Sequence, residues 1–525
     1  MFFITDVYVN AFHPLSRWKQ IGGFSMSDKE KSQNPFASEL TSYVRDEKTF
    51  YCMPGHKQGN GAPSFLKEIW GDKVFKYDIT EVSKSDVLAF PKNKIKEAQE
   101  KAAKIMGSKR AWYLVNGSSV GIHAVIGGLV KPGEKVLVHR ECHKAVLMGL
   151  VFSGAVPIYL EPVANLPEYA YGSVDLLKVE ELLQAHDIKL MLVTSPNYYG
   201  ISLDIPPLSK LCHTYNTQLF VDEAHGTHFT FHPEFPSPAL TCGADYVVQS
   251  MHKTIGGLYQ TALLHSSSTS VESDERVDAM LAMLQSTSPS ALFLMSIDAA
   301  LSEIDEIGMN IYGELIEMIE VIRPMLNTES YSIVEPTEGV LFSGGFSGFD
   351  QCKVIFRSIG PSERNLIQIK EKLSQDYDIE IELAGEKHIL LTLSLADAKN
   401  IEKTRDNLIY FSHVLEKITQ EGVGLILIKD DYIDNRELPV FELTPRDAFY
   451  TTKKMVKIKD AEYAISASMV CIYPPGYPLI IPGERINEAA MHKIFHDHRF
   501  GFTIIGITEV EGELFIDVID EDKIN

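Results

Sequence analysis

The sequence predicts an α/β fold built on a mostly parallel sheet, and three observations carry that prediction. Between residues 91 and 327, short apolar or β-branched runs alternate with amphipathic helical stretches. Two of those runs end in chemistry-bearing residues, Asp222 and Lys253, which lie 31 positions apart (253 − 222), a gap that suits one strand-loop-strand step of a parallel sheet. A third run leads into Asn116-Gly117-Ser118-Ser119, a turn that opens an apolar helix.

In chain order, residues 1–12 are partly apolar but contain Asp6 and Asn10. They lack a basic n-region and a small-residue cleavage site, so neither a signal peptide nor a membrane span is predicted. Residues 25–34 are polar and are expected to be flexible, with Met26 an alternative translation start. Pro54-Gly55-His56-Lys57-Gln58-Gly59 is a loop by its glycines and proline. Residues 91–106 have the helical pattern, with Ile95, Ala98, Ala102 and Ile105 on one face and Gly107 as terminator.

Strands are then predicted at 110–115, 135–138, 156–160, 190–194, 218–221 and 244–249. Helices are predicted from Ser119 to Val130, from His143 onward, and over 175–185 and 206–215. Gly256-Gly257 reads as a turn. Residues 289–327 look helical. Beyond Tyr331 the rhythm changes to Val354-Ile355-Phe356, a helix over 365–373, and apolar runs at 379–383 and 389–393. The last hundred residues begin with the run 423–428 and include the proline-rich stretch 473–482.

A chain of 525 residues is too long for one core and implies two or three domains. A formal charge of −22 leaves no net basic surface for nucleic acid, whereas it suits a cationic small molecule. The six cysteines, at 52, 142, 212, 242, 352 and 471, form no CxxC and no zinc pattern, so free thiols in a reducing cytoplasm are expected.

Ser250-Met251-His252-Lys253-Thr254 follows a β-branched strand, which places Lys253 at a strand end. Such a lysine is either a solvated surface group or a Schiff-base amine whose pKa is lowered by desolvation. Asp222 is either a helix cap or the carboxylate that keeps a pyridinium nitrogen protonated in pyridoxal phosphate chemistry. The Gly117-Ser118-Ser119 turn fits both ordinary N-cap chemistry and a phosphate held by helix-start N–H groups and hydroxyls.

These motifs occur in order with Glu141-Cys142-His143-Lys144, Ser195-Pro196-Asn197-Tyr198-Tyr199-Gly200, Asp222-Glu223-Ala224-His225-Gly226 and Ser286-Thr287-Ser288-Pro289. Pro54-Gly55-His56-Lys57 precedes them, and Thr444-Pro445-Arg446, Tyr473-Pro474-Pro475-Gly476 and Pro482-Gly483-Glu484 follow. Together they resemble the pyridoxal-phosphate-dependent ornithine/lysine/arginine decarboxylases of the aspartate-aminotransferase fold (fold type I), over most of the chain. Larger members carry an N-terminal domain before the Pro-Gly-His motif, and the resemblance is to a short form without it.

The resemblance implies a layout of a flexible extension (1–34), a segment at the active-site entrance (35–90), a cofactor-binding large domain (91–330), a small α+β domain (331–420) and a C-terminal domain (421–525). It implies that Lys253 carries the cofactor, that Asp222 faces the ring nitrogen, and that His143 and Ala224 flank the ring. Gly117, Ser118, Ser119, Ser250 and His252 would hold the phosphate, His225 would lie close by, and His252 is also a proton-relay candidate. Thr287 and Ser288 would reach the phosphate of a partner subunit in a homodimer or higher even-numbered assembly.

The implied activity is decarboxylation of arginine, lysine or ornithine to the corresponding amine in polyamine metabolism. Alternatives are transamination, retro-aldol cleavage, or cofactor binding without catalysis. A buried substrate cation needs an acidic partner; Glu442, Asp447 and Glu484 flank family-like segments and are the candidates, and Arg446 is the candidate carboxylate clamp. Gly257 and Met251 depart from the family pattern, where a larger residue and a smaller one are expected.

Overall fold

The computed structural model describes residues 33–45, 48–81, 86–161, 173–268, 271–335, 345–359, 364–425, 439–473 and 476–523. Most of the expected N-terminal extension, Met26, Pro474 and Pro475, and the later half of the 423–428 run lie outside the described residues. Among the described residues the first helix is α1 (Pro35–Arg45); after two short helices (Ser64–Trp70 and Asp72–Tyr77) comes α2 (Lys94–Met106). The sheet is made of β1 (Arg110–Leu114), β2 (Lys135–His139), β3 (Val156–Leu160), β4 (Ile188–Thr194), β5 (Gln218–Asp222), β6 (Tyr246–Ser250) and β7 (Ala262–Ser266). Helices α3 (Gly117–Leu129), α4 (Lys144–Ser153), α5 (Leu176–Ala185) and α6 (Ile205–Thr214) alternate with the strands, and α7 (Val271–Leu284) and α8 (Ala291–Ile322) follow.

The spatial order is β1-β7-β6-β5-β4-β2-β3. Every pair from β6 to β3 is parallel, whereas β7 runs antiparallel between β1 and β6. The predicted mostly parallel sheet is therefore present, and β7 is the strand the sequence pattern did not reveal. Residues along the strands alternate between two cores. Tyr113, Leu137, Met191, Val193, Leu219, Val221 and Val247 belong to one, while Trp112, Leu114, Val136, Val138, Leu190, Leu192, Phe220 and Val248 belong to the other. Both faces are covered by helices, so the strands read as continuous apolar runs.

The first core continues into the small domain, whose antiparallel sheet has the order β10-β11-β9-β8, formed by β8 (Tyr331–Ile333), β9 (Lys353–Ser358), β10 (Leu383–Ala384) and β11 (His388–Thr392). Helices α9 (Leu366–Tyr377) and α10 (Ile401–Gln420) pack against it through Leu366, Ile369, Leu373, Leu408, Phe411 and Leu415. Residues 379–382, expected to be extended, form no strand before β10 begins at Leu383. The C-terminal part carries a core of its own, made by Ile458, Val470, Ile480, Ile486, Ile494, Ile516 and Val518 around helix α11 (Glu488–Phe500).

Helix α2 starts three residues later than its apolar pattern suggests, for a reason that lies outside it. Asn93 at its N-cap makes no side-chain cap. Instead the buried Asp86 carboxylate accepts N–H bonds from Lys92 (2.8 Å), Asn93 (2.7 Å), Ile95 (3.1 Å) and Lys96 (3.3 Å). At the other end Gly107 adopts φ 74, the left-handed conformation that closes a helix. Replacing an ordinary N-cap side chain by alanine costs roughly 0.5–2 kcal/mol. Asp86→Ala is expected to cost at least the upper end of that range, about 2 kcal/mol, and to lower the thermal unfolding midpoint, with Asp86→Asn recovering part of the loss; an unchanged midpoint in the alanine variant would show that α2 does not depend on this carboxylate.

Candidate active site

The carboxyl ends of β1, β5 and β6 converge because β5 and β6 are parallel neighbours with Asp222 opposite Val248, and β1 stands two strands from β6. Asp222 ends β5 and is 3% exposed; its Oδ1 accepts from the Ala224 N–H at 3.2 Å. Burial pushes its carboxyl above the ordinary value, while Lys253 and the Ala224 N–H pull the other way. Five residues beyond the Val248 pairing, after the strand end at Ser250, a single helical turn (Met251–Thr254) presents Lys253. Its Nζ lies 3.1 Å from His225 Nε2. Burial lowers the Lys253 pKa, opposed by Asp222 and reinforced by the positive charge of Lys353.

Three histidines surround this pair. His143 caps α4, its Nδ1 accepting from the Ala145 N–H at 3.2 Å, so it does the ordinary capping work the sequence allowed. Burial, aided by the charge of Lys253, brings its pKa down to about 4, so the ring is neutral at pH 7. His225 is pushed well below its ordinary value by burial and by Lys253. His252 Nδ1 lies 3.0 Å from the Thr261 carbonyl. A carbonyl only accepts, so Nδ1 carries the hydrogen and Nε2 is left as the acceptor.

A turn with the makings of an anion site stands beside this cluster. Gly117 opens α3 with φ 75, a conformation that favours glycine, and its N–H donates to the Gln260 carbonyl at 2.8 Å, tying the turn to the loop after Lys253. No side chain caps α3. A Cβ on Gly117 would meet open space. Ser118 and Ser119 are half-buried in the first turn. The Ser250 hydroxyl is buried with no hydrogen-bond partner. Ser286 donates its N–H to Asn116 Oδ1 at 3.2 Å, while the neighbouring Thr287 and Ser288 are exposed in the single chain.

The expected substrate acids do not gather at Lys253 within one chain. Glu484 requires correction: it is 1% exposed and its carboxylate forms a two-pronged ion pair with Arg140, Nη2 to Oε2 at 2.9 Å, and also accepts from the Ile481 N–H at 2.7 Å. Both oxygens are committed, so it anchors the C-terminal domain instead of meeting a ligand. Glu442 is exposed and pairs with Arg485 at 3.0 Å, and Asp447 is exposed and caps the helix start with Thr444. Arg446 donates to the Phe152 carbonyl at 3.0 Å, at the far end of α4 from His143. A ten-residue helix separates those ends by roughly 15 Å.

Gly257 has a physical reason. A Cβ on Gly257 would lie 2.5 Å from Thr261 Oγ1 and 2.8 Å from Met251 Cβ, so the larger residue expected there does not fit. His56, in the expected entrance loop, bonds Asp78 at 3.1 Å and accepts from the Gly59 N–H at 3.2 Å.

The sequence did not reveal the small-domain wall of the site. Tyr198 stands edge-on to the His225 ring, with centroids 5.0 Å apart, and donates its hydroxyl to Glu382. Tyr477 of the C-terminal domain accepts from the Tyr198 N–H at 3.1 Å. Lys353, at the start of β9, is 1% exposed. Its only sequence signal was a lone lysine leading a β-branched run.

The Orn/Lys/Arg decarboxylase major-domain profile matches residues 34–341, and the Orn/Lys/Arg decarboxylase C-terminal-domain profile matches residues 430–498. The chain is 32% identical over 484 residues to an arginine decarboxylase of Halalkalibacterium halodurans, covering 91% of this chain and 96% of that protein. It is 30% identical over 479 residues to an arginine decarboxylase of Bacillus subtilis, with coverages of 90% and 95%. A Francisella novicida lysine decarboxylase superposes with a TM-score of 0.78 at 21% identity, covering 93% of this chain and 81% of that one, which shows a shared fold.

Glu223, next to Asp222, gives a testable consequence of burial. It accepts from the Ala239 N–H at 2.8 Å and from Gln249 Nε2 at 2.6 Å, and burial raises its pKa from 4.5 to about 8. The folded state therefore holds this proton more tightly than the unfolded chain, and stability falls as pH rises from 4.5 to about 8. Glu223→Gln is expected to be nearly neutral at pH 7 and to flatten that slope. Glu223→Ala should cost about 1–3 kcal/mol for each donor left unsatisfied. Urea midpoints at pH 5 and pH 9 check both; a slope unaltered by Glu223→Gln refutes the assignment.

Proposed function

The chain belongs to the Orn/Lys/Arg decarboxylase family, and on that premise we propose that it removes CO2 from a basic L-amino acid, arginine, lysine or ornithine, leaving agmatine, cadaverine or putrescine for polyamine metabolism. Pyridoxal 5'-phosphate is the cofactor in this reading. The observation that carries it is the meeting of a desolvated lysine and a buried aspartate at adjacent parallel strand ends, Lys253 and Asp222. The relatives of 32% and 30% identity act on arginine, which favours that substrate.

The residues fit the group. The Ser250 hydroxyl is an orphaned buried polar atom, and the uncapped helix start at Gly117 faces open space, as a phosphate site requires. Gly117, Ser118, Ser119, Ser250 and His252 would hold the phosphate, Asp222 the ring nitrogen, and Lys253 the aldehyde carbon, with His143 and Ala224 against the two ring faces. When bound, pyridoxal phosphate supplies a ring that accepts the electron pair left by departing CO2.

The chain's own groups do the rest. Burial favours the neutral amine of Lys253, the form able to attack a carbonyl. His225 Nε2 lies within hydrogen-bond distance of that amine and orients it. His143 stays uncharged, so the face it offers is flat and weakly polar. His252 keeps its Nδ1 hydrogen on the Thr261 carbonyl, which leaves Nε2 to take up or return a proton; Lys253 is the other group placed to protonate the substrate Cα. Asp222 has one backbone N–H as its partner and therefore retains acceptor capacity for a cationic nitrogen.

The working unit in this reading is a homodimer or a higher even-numbered assembly, with the exposed Thr287 and Ser288 meeting the partner's phosphate. A cytoplasmic location is part of the same proposal, supported by six cysteines without a disulfide. Among the described residues no helix is long and apolar enough to cross a membrane.

CO2 release from a panel of L-amino acids, with the amine identified, tests the reading. Arginine, lysine or ornithine should yield CO2 and the amine, whereas a keto acid product would mean transamination. Lys253→Ala should abolish both turnover and the visible absorbance of lysine-bound cofactor. Asp222→Ala should lower kcat by about a hundredfold or more. Full activity in either variant removes the assignment.

A further inference from the structure

Lys353 enters the site from the small domain, and the chain is shaped around it. Gly200 has φ 91, and a Cβ there would lie 2.6 Å from Lys353 Cγ, so a glycine lets the 195–200 loop close over the lysine stem. The ammonium makes one hydrogen bond, to Thr392 Oγ1 at 2.9 Å, and lies 5.8 Å from the centre of the Tyr198 ring. The nearest acids have other partners. Asp350 Oδ1 takes His228 at 3.0 Å and the Cys352 N–H at 2.9 Å, while its buried Oδ2 has no hydrogen-bond partner and acts on Lys353 through its charge; Glu382 takes the Tyr198 hydroxyl. Among the described residues no carboxylate comes within 4.0 Å of the Lys353 ammonium.

A buried ammonium whose one hydrogen bond is to a neutral hydroxyl is costly to maintain, and burial lowers its pKa against the opposing charges of Asp350 and Glu382, neither of which forms an ion pair with it. An anion brought to it would relieve that cost. The sheet order separates the two anions available. The turn at Gly117 follows β1, two strands from β6 on one side, and the 195–200 loop follows β4, two strands from β6 on the other. With strands about 4.8 Å apart, these positions stand roughly 20 Å from each other with Lys253 between them. The phosphate donors and Lys353 therefore flank the reactive amine on opposite sides. Lys353 nonetheless lies near enough to that amine for its charge to act on both Lys253 and His225.

We propose that Lys353 receives the α-carboxylate of the amino-acid substrate and positions the bond to be broken beside Lys253; this rests on the decarboxylase reading above. The substrate's α-amine exchanges with Lys253, and its carboxylate, one carbon away, reaches toward the cation on the side away from the phosphate. The ammonium of Lys353 stays in place when CO2 leaves, and the amine product, lacking a carboxylate, no longer engages it. Lys353 thus separates substrate from product.

The test uses the holoenzyme and a Lys353→Met variant, which keeps the stem and removes the charge. For whichever basic amino acid the wild-type enzyme decarboxylates, the variant should raise KM about tenfold or more and change kcat less, as expected for losing a charged hydrogen bond. Calorimetric affinity for the amine product should stay within about twofold, and cofactor occupancy should be unchanged. Lys353→Arg should restore most of the KM. If Lys353→Met does not fold, the wild-type enzyme still decides: the substrate's methyl ester, with its carboxylate charge removed, should bind about tenfold more weakly than the free amino acid competes. Equal losses for substrate and amine, loss of cofactor, or undiminished ester binding overturns the proposal. A wild-type enzyme that releases no CO2 from any basic amino acid is a different result, removing the decarboxylase reading and this proposal together.

Discussion

β5 and β6 lie parallel and adjacent with Asp222 opposite Val248, and that pairing puts a carboxylate and, one short turn later, an ammonium into the same dry space. Neither group is well off there alone. Burial drives the Asp222 carboxyl up and the Lys253 ammonium down, and each partly restores the other's charge. Shifting β6 by one residue would turn every side chain to the opposite face and disperse the cluster. The alternation of Val221 and Val247 into one core and Phe220 and Val248 into the other fixes the register, so the hydrophobic layers on both sides of the sheet hold the chemistry in position.

The site mixes basic and acidic groups inside a chain that is acidic overall. The sequence carries a net −22, and at the strand ends Lys253 and Lys353, with three histidines whose pKa values burial lowers, face Asp222, the buried Asp350 and the exposed Glu382. A negative exterior draws in a cationic side chain, and inside it the desolvated lysines are the groups that suit an anion such as a phosphate or a carboxylate. A basic amino acid has one end suited to each of these.

What the sequence revealed follows from which interactions are local. Strands β1 to β6 are apolar runs, Asp222 terminates one of them, Lys253 sits on the helical turn just after another, and the Gly117 turn follows a third. Ala262–Ser266 escaped notice because a short run ending in His-Ser has no signature of direction, and it turned out antiparallel. The cap of α2 comes from Asp86, outside the helix and its flanking turn, so no window on the helix contains it. Glu484 was placed beside a ligand because its motif lies near the site in sequence pattern, while its partner Arg140 is 344 residues away. Lys353 became meaningful only when the small domain was folded over β4, a long-range event without a local trace, and Tyr198, already inside a family-like motif, gained its contacts to Glu382 and His225 there. Gly257 looked like a departure until the space around it was measured.

The Arg140–Glu484 pair lies directly before Glu141-Cys142-His143, so the C-terminal region grips the strand-to-helix corner that presents His143. Both side chains are almost fully buried, at 3% and 1% exposure. Cutting the chain before the last hundred residues would strand a guanidinium in the interior, at roughly 3–5 kcal/mol for a broken buried pair. It would also take away Tyr477, which holds the Tyr198 backbone. The tail is thus a keystone of the fold around β2 and not a passenger, and a fragment that ends with the large domain would keep Lys253 without the frame around His143 and Tyr198.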